Sequence, residues 1–388
     1  MVRDKLRLSD LNVLFIYLEE GPHPIIDRVI TDLTNFRNLG GNPMLICRKG
    51  SNLDKKADHE DIPREYVHSK KLFSLGYEIF QIVNFLRKEQ RLDLVHSYSY
   101  DPLLALGFVL KRDNRIPLIY TCNEKVSELY RPFWHDYFIT RLDQVITFSP
   151  IMVEQLKERL PFLKRKLFLS GAGIEMRAKP NLGKPEGTLK LCTFVSGSQS
   201  DVESFLPLLI NLPLLEIQGV KTTLSLVTEG SWFEHPHFEK FKRTILERGL
   251  EHFVSFHSQS WGSVSLSQHH IFVSVSTSRP FDEHELSALM CRLPVLIPRT
   301  SVRADMIGHE RLGLTYKPGD SREMRAKILE IYQHYGRFAH FLDLDFEGLH
   351  EKHGFETYVS ELFNLYERVA LQRLRFSLKK GSIRASKA

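Results

Sequence analysis

An alternation of apolar, strand-like segments with amphipathic, helix-like ones runs through this chain twice, and it constrains the fold more than any other feature. "LNVLFIYL" (11–18) reads as a buried strand, and Ile25 to Leu39 carries apolar residues at helical spacing. "GGNPMLIC" restarts a strand, 72–91 is a broad helical stripe, and "LDLVHSYS", "IPLIYTC" and "LDQVITFS" are further strands. A second series begins at "LKLCTFVS" and continues through "TTLSLVTEG", "FVSFHS", "HHIFVSVST", "LPVLIP" and "GLTYKP" with helical segments between them. Such alternation predicts parallel sheets covered on both faces, an α/β architecture of two Rossmann-like halves. Between the series, "RAKPNLGKPEG" (177–187) has two Pro, two Gly, three basic residues and no apolar period, so the domain boundary is placed there. Ligands of such sheets sit beyond the carboxyl ends of the strands.

At 388 residues the chain is too long for one ordinary core. With 42% hydrophobic and 26% charged residues it reads as a soluble globular protein. The four cysteines lack CxxC or Cys/His ligand spacing, which points to buried reduced thiols. The N-terminal apolar run, Val13 to Leu18, is too short for a signal core or a membrane span, so a cytoplasmic location is expected. The net charge of +6 is concentrated at the end. Seven basic and no acidic residues follow from Arg368 onward, leaving the rest near −1. That tail is either a solvated end or a contact for an anionic membrane surface on its inner face. No aromatic-and-basic platform accompanies it, so no nucleic-acid partner is expected.

Several segments together resemble the GT-B glycosyltransferases, especially the retaining, nucleotide-sugar-dependent group called family 4. "LDLVHSYS" resembles "DVVHxH", "IPLIYTCNE" resembles "IPVVYTxHD", and "LDQVITFSPIMVEQL" resembles "ADxVITxS". "LFLSGAGIE" stands where "PNGVD" closes the first domain, and "SLVTEGS", with Glu229 and Gly230, resembles "LxxxGDGP". "ELSALMCRLPVLIP" resembles "EAMAxGxPVIA", and "LGLTYKPGD" resembles "xGxLVxPGD". The resemblance implies two Rossmann-like domains facing a cleft: an acceptor domain over 1–176 and a donor domain over 188–345. A helix over 346–375 would cross back to the first domain, before a basic tail at 376–388.

The resemblance also implies site residues, several of them altered. Glu285 is matched to the later of two donor-site glutamates, with Leu286 beside it; eight positions back stands Thr277, or Arg279 if two residues are deleted. Where the family has an Arg/Lys pyrophosphate clamp, this chain has "SGSQSDVES" (196–204) without a basic residue, leaving Gly197, Ser198 and backbone amides for phosphate. Asn123, which replaces a histidine, and His96, a candidate pocket residue at a strand end, are with Glu285 the candidate catalytic residues. Each has a plainer reading: Glu285 as a helix N-terminal acid, His96 as a core histidine. The loop "EEGPHP" (19–24) is either a donor-phosphate loop or a turn. His269 and His270 lack a third ligand, and no metal or other cofactor is expected. The aromatic stripes at 72–86 and 129–138 are read mainly as core, with a lipid or sugar acceptor as the other use.

The expected activity is transfer of a sugar from a UDP- or GDP-sugar to a cell-envelope or surface-polysaccharide acceptor, saccharide or lipid-linked, with retention. The alternative is a degenerate GT-B protein that binds sugar or nucleotide, or acts as a scaffold in a glycosylation complex. A dehydrogenase is disfavoured, because no GxGxxG follows the first strand.

Overall fold

The structure is a computed structural model that describes residues 7–20, 25–89, 92–111, 115–123, 136, 139–174, 183–195, 199–228, 236–258, 266–275, 284–301, 303–307 and 310–385. The chain divides into two compact units, Met1–Gly171 with Glu356–Ala388, and Ala172–Phe355. The division falls at Gly171/Ala172, ahead of the polar stretch 177–187, of which 177–182 lie outside the described residues.

The first unit is built on strands β1 (Asn12–Ile16), β2 (Asn42–Cys47), β3 (Arg64–Tyr66), β4 (Leu94–Ser97), β5 (Leu118–Thr121), β6 (Gln144–Thr147) and β7 (Leu167–Leu169). They form one parallel sheet in the order β3-β2-β1-β4-β5-β6-β7. Every residue of β4 and β5 is buried, as expected of strands covered on both faces. The second unit contains β8 (Leu189–Val195), β9 (Thr222–Thr228), β10 (Val254–Ser258), β11 (Ile271–Val273), β12 (Val295–Pro298) and β13 (Gly313–Tyr316). Its sheet is also parallel, in the order β10-β9-β8-β11-β12-β13. Both orders reverse direction once, at β1/β4 and at β8/β11, which is the doubly wound pattern.

The expected helix over 346–375 is two helices instead, Tyr335–His353 in the second unit and Phe355–Ala385. They break at Gly354, where a Cβ would lie 2.4 Å from the His350 carbonyl oxygen, so only glycine allows the chain to leave the helix there. Beside the break, Ile174 N–H donates to the His353 carbonyl at 2.8 Å, and Phe355 N–H donates to the Ile174 carbonyl at 3.1 Å.

The last helix is held to the first unit by a buried polar network. Asp32, on the helix Ile25–Asn38, is 1% exposed, and its Oδ2 accepts from Tyr98 Oη at 2.5 Å and Tyr358 Oη at 2.7 Å. Arg28 lies 4.3 Å over the Tyr358 ring. Burial pushes the Asp32 carboxyl up to about 6, against the Arg28 charge and the two tyrosine hydrogen bonds. Two of the seven C-terminal basic residues are also engaged within this unit: Arg368 lies over the Phe168 ring, and Arg373 donates to Asp143 at 2.6 Å. The segment 376–385, expected as a tail, has helical backbone.

All four cysteines are buried, and none is in a disulfide. Among the described residues no helix is long and apolar enough to cross a membrane.

Candidate functional site

The second unit presents a polar group at the carboxyl edge of its sheet. Glu285 follows His284 at the start of the short helix His284–Met290 and is 2% exposed. Its Oε2 accepts from Ser301 Oγ at 3.2 Å, and Ser301 Oγ in turn accepts from the Arg303 N–H at 3.1 Å. Ser301 and Arg303 lie just past β12; Ser274 lies just past β11. Tyr316, the last residue of β13, donates to the Ser274 carbonyl at 2.9 Å. Three adjacent strand ends thus converge on one carboxylate.

Burial raises the Glu285 carboxyl above the ordinary glutamate range, against the Ser274 hydroxyl, the Arg303 charge and the Ser301 hydroxyl. Its Oε1 has no hydrogen-bond partner among the described residues. A buried acceptor without a donor is costly, and two ligand hydroxyls would satisfy it. His284 stacks on Phe194 with centroids 3.4 Å apart, and burial together with the Arg303 charge keeps it neutral. His353 is likewise buried, pushed down to about 3 by burial and by the Lys352 and Arg303 charges.

A backbone feature corrects the motif register. Arg292 has φ 59°, the left-handed conformation that suits glycine. It therefore occupies the place of the glycine in "EAMAxGxPVIA", which puts that pattern's glutamate on Ser287 and the preceding acid position on Arg279. Glu285 comes two residues early, and on a helix side chains two apart face different ways. Ser287 is half-buried where Glu285 is buried.

Of the other expected donor residues, Gly197, Ser198, Glu229, Gly230, Thr277 and Arg279 lie outside the described residues. In the chain they follow β8, β9 and β11, whose carboxyl ends share the edge that carries Glu285. Leu286 is a core residue with 0% exposure, packed with Phe272, Val295 and Ile297.

His96 is corrected from a pocket residue to a core one. It lies inside β4, wholly buried, with Nδ1 2.5 Å from Tyr366 Oη and Nε2 2.7 Å from Thr121 Oγ1. Both nitrogens are occupied, and burial pushes its pKa down to about 3, so it stays neutral. It stacks on Tyr98 at 4.2 Å and joins the network that holds the last helix. Asn123 differs. It sits just beyond the carboxyl end of β5, 2% exposed, and neither amide atom has a partner among the described residues. An unsatisfied buried amide at a strand end is suited to a hydroxyl-rich ligand.

His270 is structural: its Nδ1 accepts from the Lys190 N–H at 3.0 Å. No group of three or more metal-ligating side chains occurs among the described residues. In the loop 19–24, Glu20 pairs with Lys70 at 2.9 Å, and 21–24 lie outside the described residues. Most of 129–138 does as well.

Residues 26–175 match the family model described as Glycosyltransferase Family 4. A glycosyltransferase from Rickettsia africae superposes with a TM-score of 0.77 at 15% identity, over 92% of this chain and 98% of that one. Anabaena HepE in complex with UDP and glucose gives 0.69 at 15% identity, over 92% and 99%. The sucrose-phosphate synthase of Thermosynechococcus elongatus gives 0.72 at 14% identity, over 92% and 99%. The chain has the GT-B fold and resembles family 4. A search of curated proteins finds no match.

Sequence reasoning missed Ser274, Ser301 and Arg303, which the fold brings to Glu285. The available signal is that Ser301 and Arg303 closely follow the apolar run ending at Pro298, at the carboxyl end of a strand.

Proposed function

We propose that this GT-B protein transfers a sugar from a nucleotide-sugar to a saccharide or lipid-linked acceptor of the cell envelope or a surface polysaccharide. The observation that carries the reading is Glu285: a buried carboxylate at the strand ends of the second unit, held through Oε2 by Ser301, with Oε1 unpartnered among the described residues. A nucleotide ribose offers adjacent hydroxyls, which donate to such a carboxylate. Arg303 favours its ionised form, which is the accepting one. UDP-sugars are the first donors to try, since HepE is described in complex with UDP and UDP-glucose.

In the proposed reaction an acceptor hydroxyl oxygen bonds to the anomeric carbon as the bond from that carbon to the β-phosphate oxygen breaks. The bonding pair leaves with the nucleoside diphosphate, and the acceptor proton passes to the departing phosphate. Retention of configuration and metal independence belong to the proposal through the resemblance. So does Asn123 as an acceptor contact, supported by its amide, which has no partner among the described residues.

A second reading, binding without transfer, is favoured by Arg279 and Ser287 at the two acid positions and by the absence of a basic residue in 196–204. Melting of the protein with UDP, GDP and ADP, free and as sugar conjugates, tests the first reading. A ligand at 100 times its Kd stabilises by about 2.7 kcal/mol. Stabilisation with release of nucleoside diphosphate when acceptor extracts are added supports transfer. Stabilisation with no release supports the second reading, and no shift with any nucleotide rejects both.

A further inference from the structure

The exposed aromatic side chains of the described residues are concentrated in one place. Phe73, Tyr77, Phe80 and Phe85 lie on the helix Leu72–Glu89, and Phe108 lies on Pro102–Lys111. The two helices pack against each other, and a Cβ on Gly76 would lie 3.5 Å from that of Ala105. Phe73, Tyr77 and Phe80 follow spacings of four and three, so they form one stripe, 91%, 62% and 40% exposed. Leu75, Ile79, Val83 and Leu86 make the buried face of the same helix, so the core already has its own side chains there. Aromatic residues gathered on a surface mark a docking face.

The stripe is bounded by cations. Lys71 precedes it beside Lys70, which pairs with Glu20, and Arg87 and Lys88 end it next to Glu89. All of these helix-end charges are exposed, and cations outnumber acids at the two ends. The helix's own Glu78 is turned aside, accepting from the His68 N–H at 2.7 Å and from Ser69 Oγ at 2.5 Å. From Phe73 to Arg87 the helix runs about 21 Å at 1.5 Å per residue. An aromatic ridge with basic ends matches a helix lying in the headgroup layer of an anionic bilayer. A second copy is a poorer occupant, because parallel or antiparallel pairing of two such helices sets basic ends against basic ends.

We propose that the exposed face of Leu72–Glu89, with Phe108 beside it, docks this protein on an anionic lipid surface. The face is distinct from the basic C-terminal segment. The last helix packs on Ile25–Asn38, in the crossover from β1 to β2, whereas Leu72–Glu89 crosses in the opposite direction from β3 to β4. Right-handed crossovers place those two helices on opposite faces of the sheet. The proposal needs neither nucleotide nor acceptor, so it stands or falls apart from sugar transfer.

The test is co-sedimentation of the full chain with vesicles of phosphatidylcholine containing phosphatidylglycerol, against phosphatidylcholine alone. Wild type should bind the anionic vesicles at least tenfold better, and added salt should weaken the binding. Phe73→Ser with Tyr77→Ser should lower binding at least tenfold at an unchanged melting temperature, since both side chains are exposed. Lys379→Ser, Lys380→Ser and Arg384→Ser together should change it by less than about threefold. The proposal is overturned if wild type ignores anionic vesicles, if the aromatic variant binds as wild type does, or if the tail variant alone abolishes binding. It is also overturned, in favour of a second copy, if the aromatic residues support a dimer in sedimentation velocity and no vesicle binding.

Discussion

Each unit of this protein buries an acid whose carboxyl is raised, Asp32 in the first and Glu285 in the second, and the two have different surroundings. Asp32 and Glu285 are 1% and 2% exposed, both carboxyls are raised by burial, and each has one oxygen without a partner among the described residues. Asp32 sits in a helix beneath an aromatic cluster and receives Tyr98 and Tyr358, the latter from a helix 326 residues further along the chain. Glu285 sits where three strands end and receives the hydroxyls of Ser301 and Ser274, short side chains from loops past two of those strands. The first carboxylate closes a structure on itself, whereas the second is placed to be closed by something added. Position relative to the strand ends, more than burial or charge, separates the structural acid from the one proposed to receive a ligand.

The comparison breaks first at Asp32. Its folded value of about 6 lies above the unfolded 3.8, so its contribution is fully present below about pH 4 and is lost as pH rises through about 6. That difference corresponds to about 3 kcal/mol at most. Asp32→Asn, which keeps the shape without the charge, should remove this loss, leaving urea stability flatter between pH 4 and 7 than in wild type. An unchanged slope would mean that the acid is not held as described. A smaller effect tests the same network: His96→Leu removes the hydrogen bonds to Thr121 and Tyr366 and should cost about 2 kcal/mol of stability. Nucleotide affinity of the folded variant should stay within about twofold. A selective loss of nucleotide or acceptor binding would return His96 to a pocket.

At the other acid, Ser301→Ala removes a hydroxyl donor to a carboxylate, worth about 1.5 kcal/mol, so nucleotide affinity should fall roughly tenfold. Ser287→Ala should change affinity by less than about twofold. A larger loss at Ser287 than at Ser301 would show that the ligand follows the motif register and not the buried carboxylate.

Much of the fold was legible because it rests on local patterns. Apolar runs such as "LNVLFI" and "LPVLIP" can be satisfied only as strands covered on both faces, and their alternation with helices leaves few topologies. The helix boundary at Gly354 was missed, because the steric need for glycine comes from a carbonyl four residues back and not from a turn motif. The site was less legible for a related reason. Glu285 could be noticed as an acid opening a helix, but its hydrogen-bond partner follows a different strand, which only the folded sheet brings alongside. The register was obscured because an arginine fills the left-handed position where the pattern has glycine, although Pro294 and Val295 mark it. His96 misled because β4 is buried throughout, and its partner Tyr366 lies 270 residues away.

The most direct measurement is nucleotide-dependent melting of wild type and Glu285→Gln, followed by affinity across pH. Wild type should be stabilised by at least one nucleoside diphosphate or its sugar conjugate. Its affinity should weaken on acidification at a higher pH than an ordinary glutamate would impose, because the accepting form is the ionised one and burial raises its pKa. Glu285→Gln should melt near wild type without ligand, bind about tenfold to a hundredfold more weakly, and lose that pH dependence. A nucleotide that stabilises both proteins equally, or none that stabilises wild type, would contradict the assignment of Glu285 as the carboxylate that receives the donor.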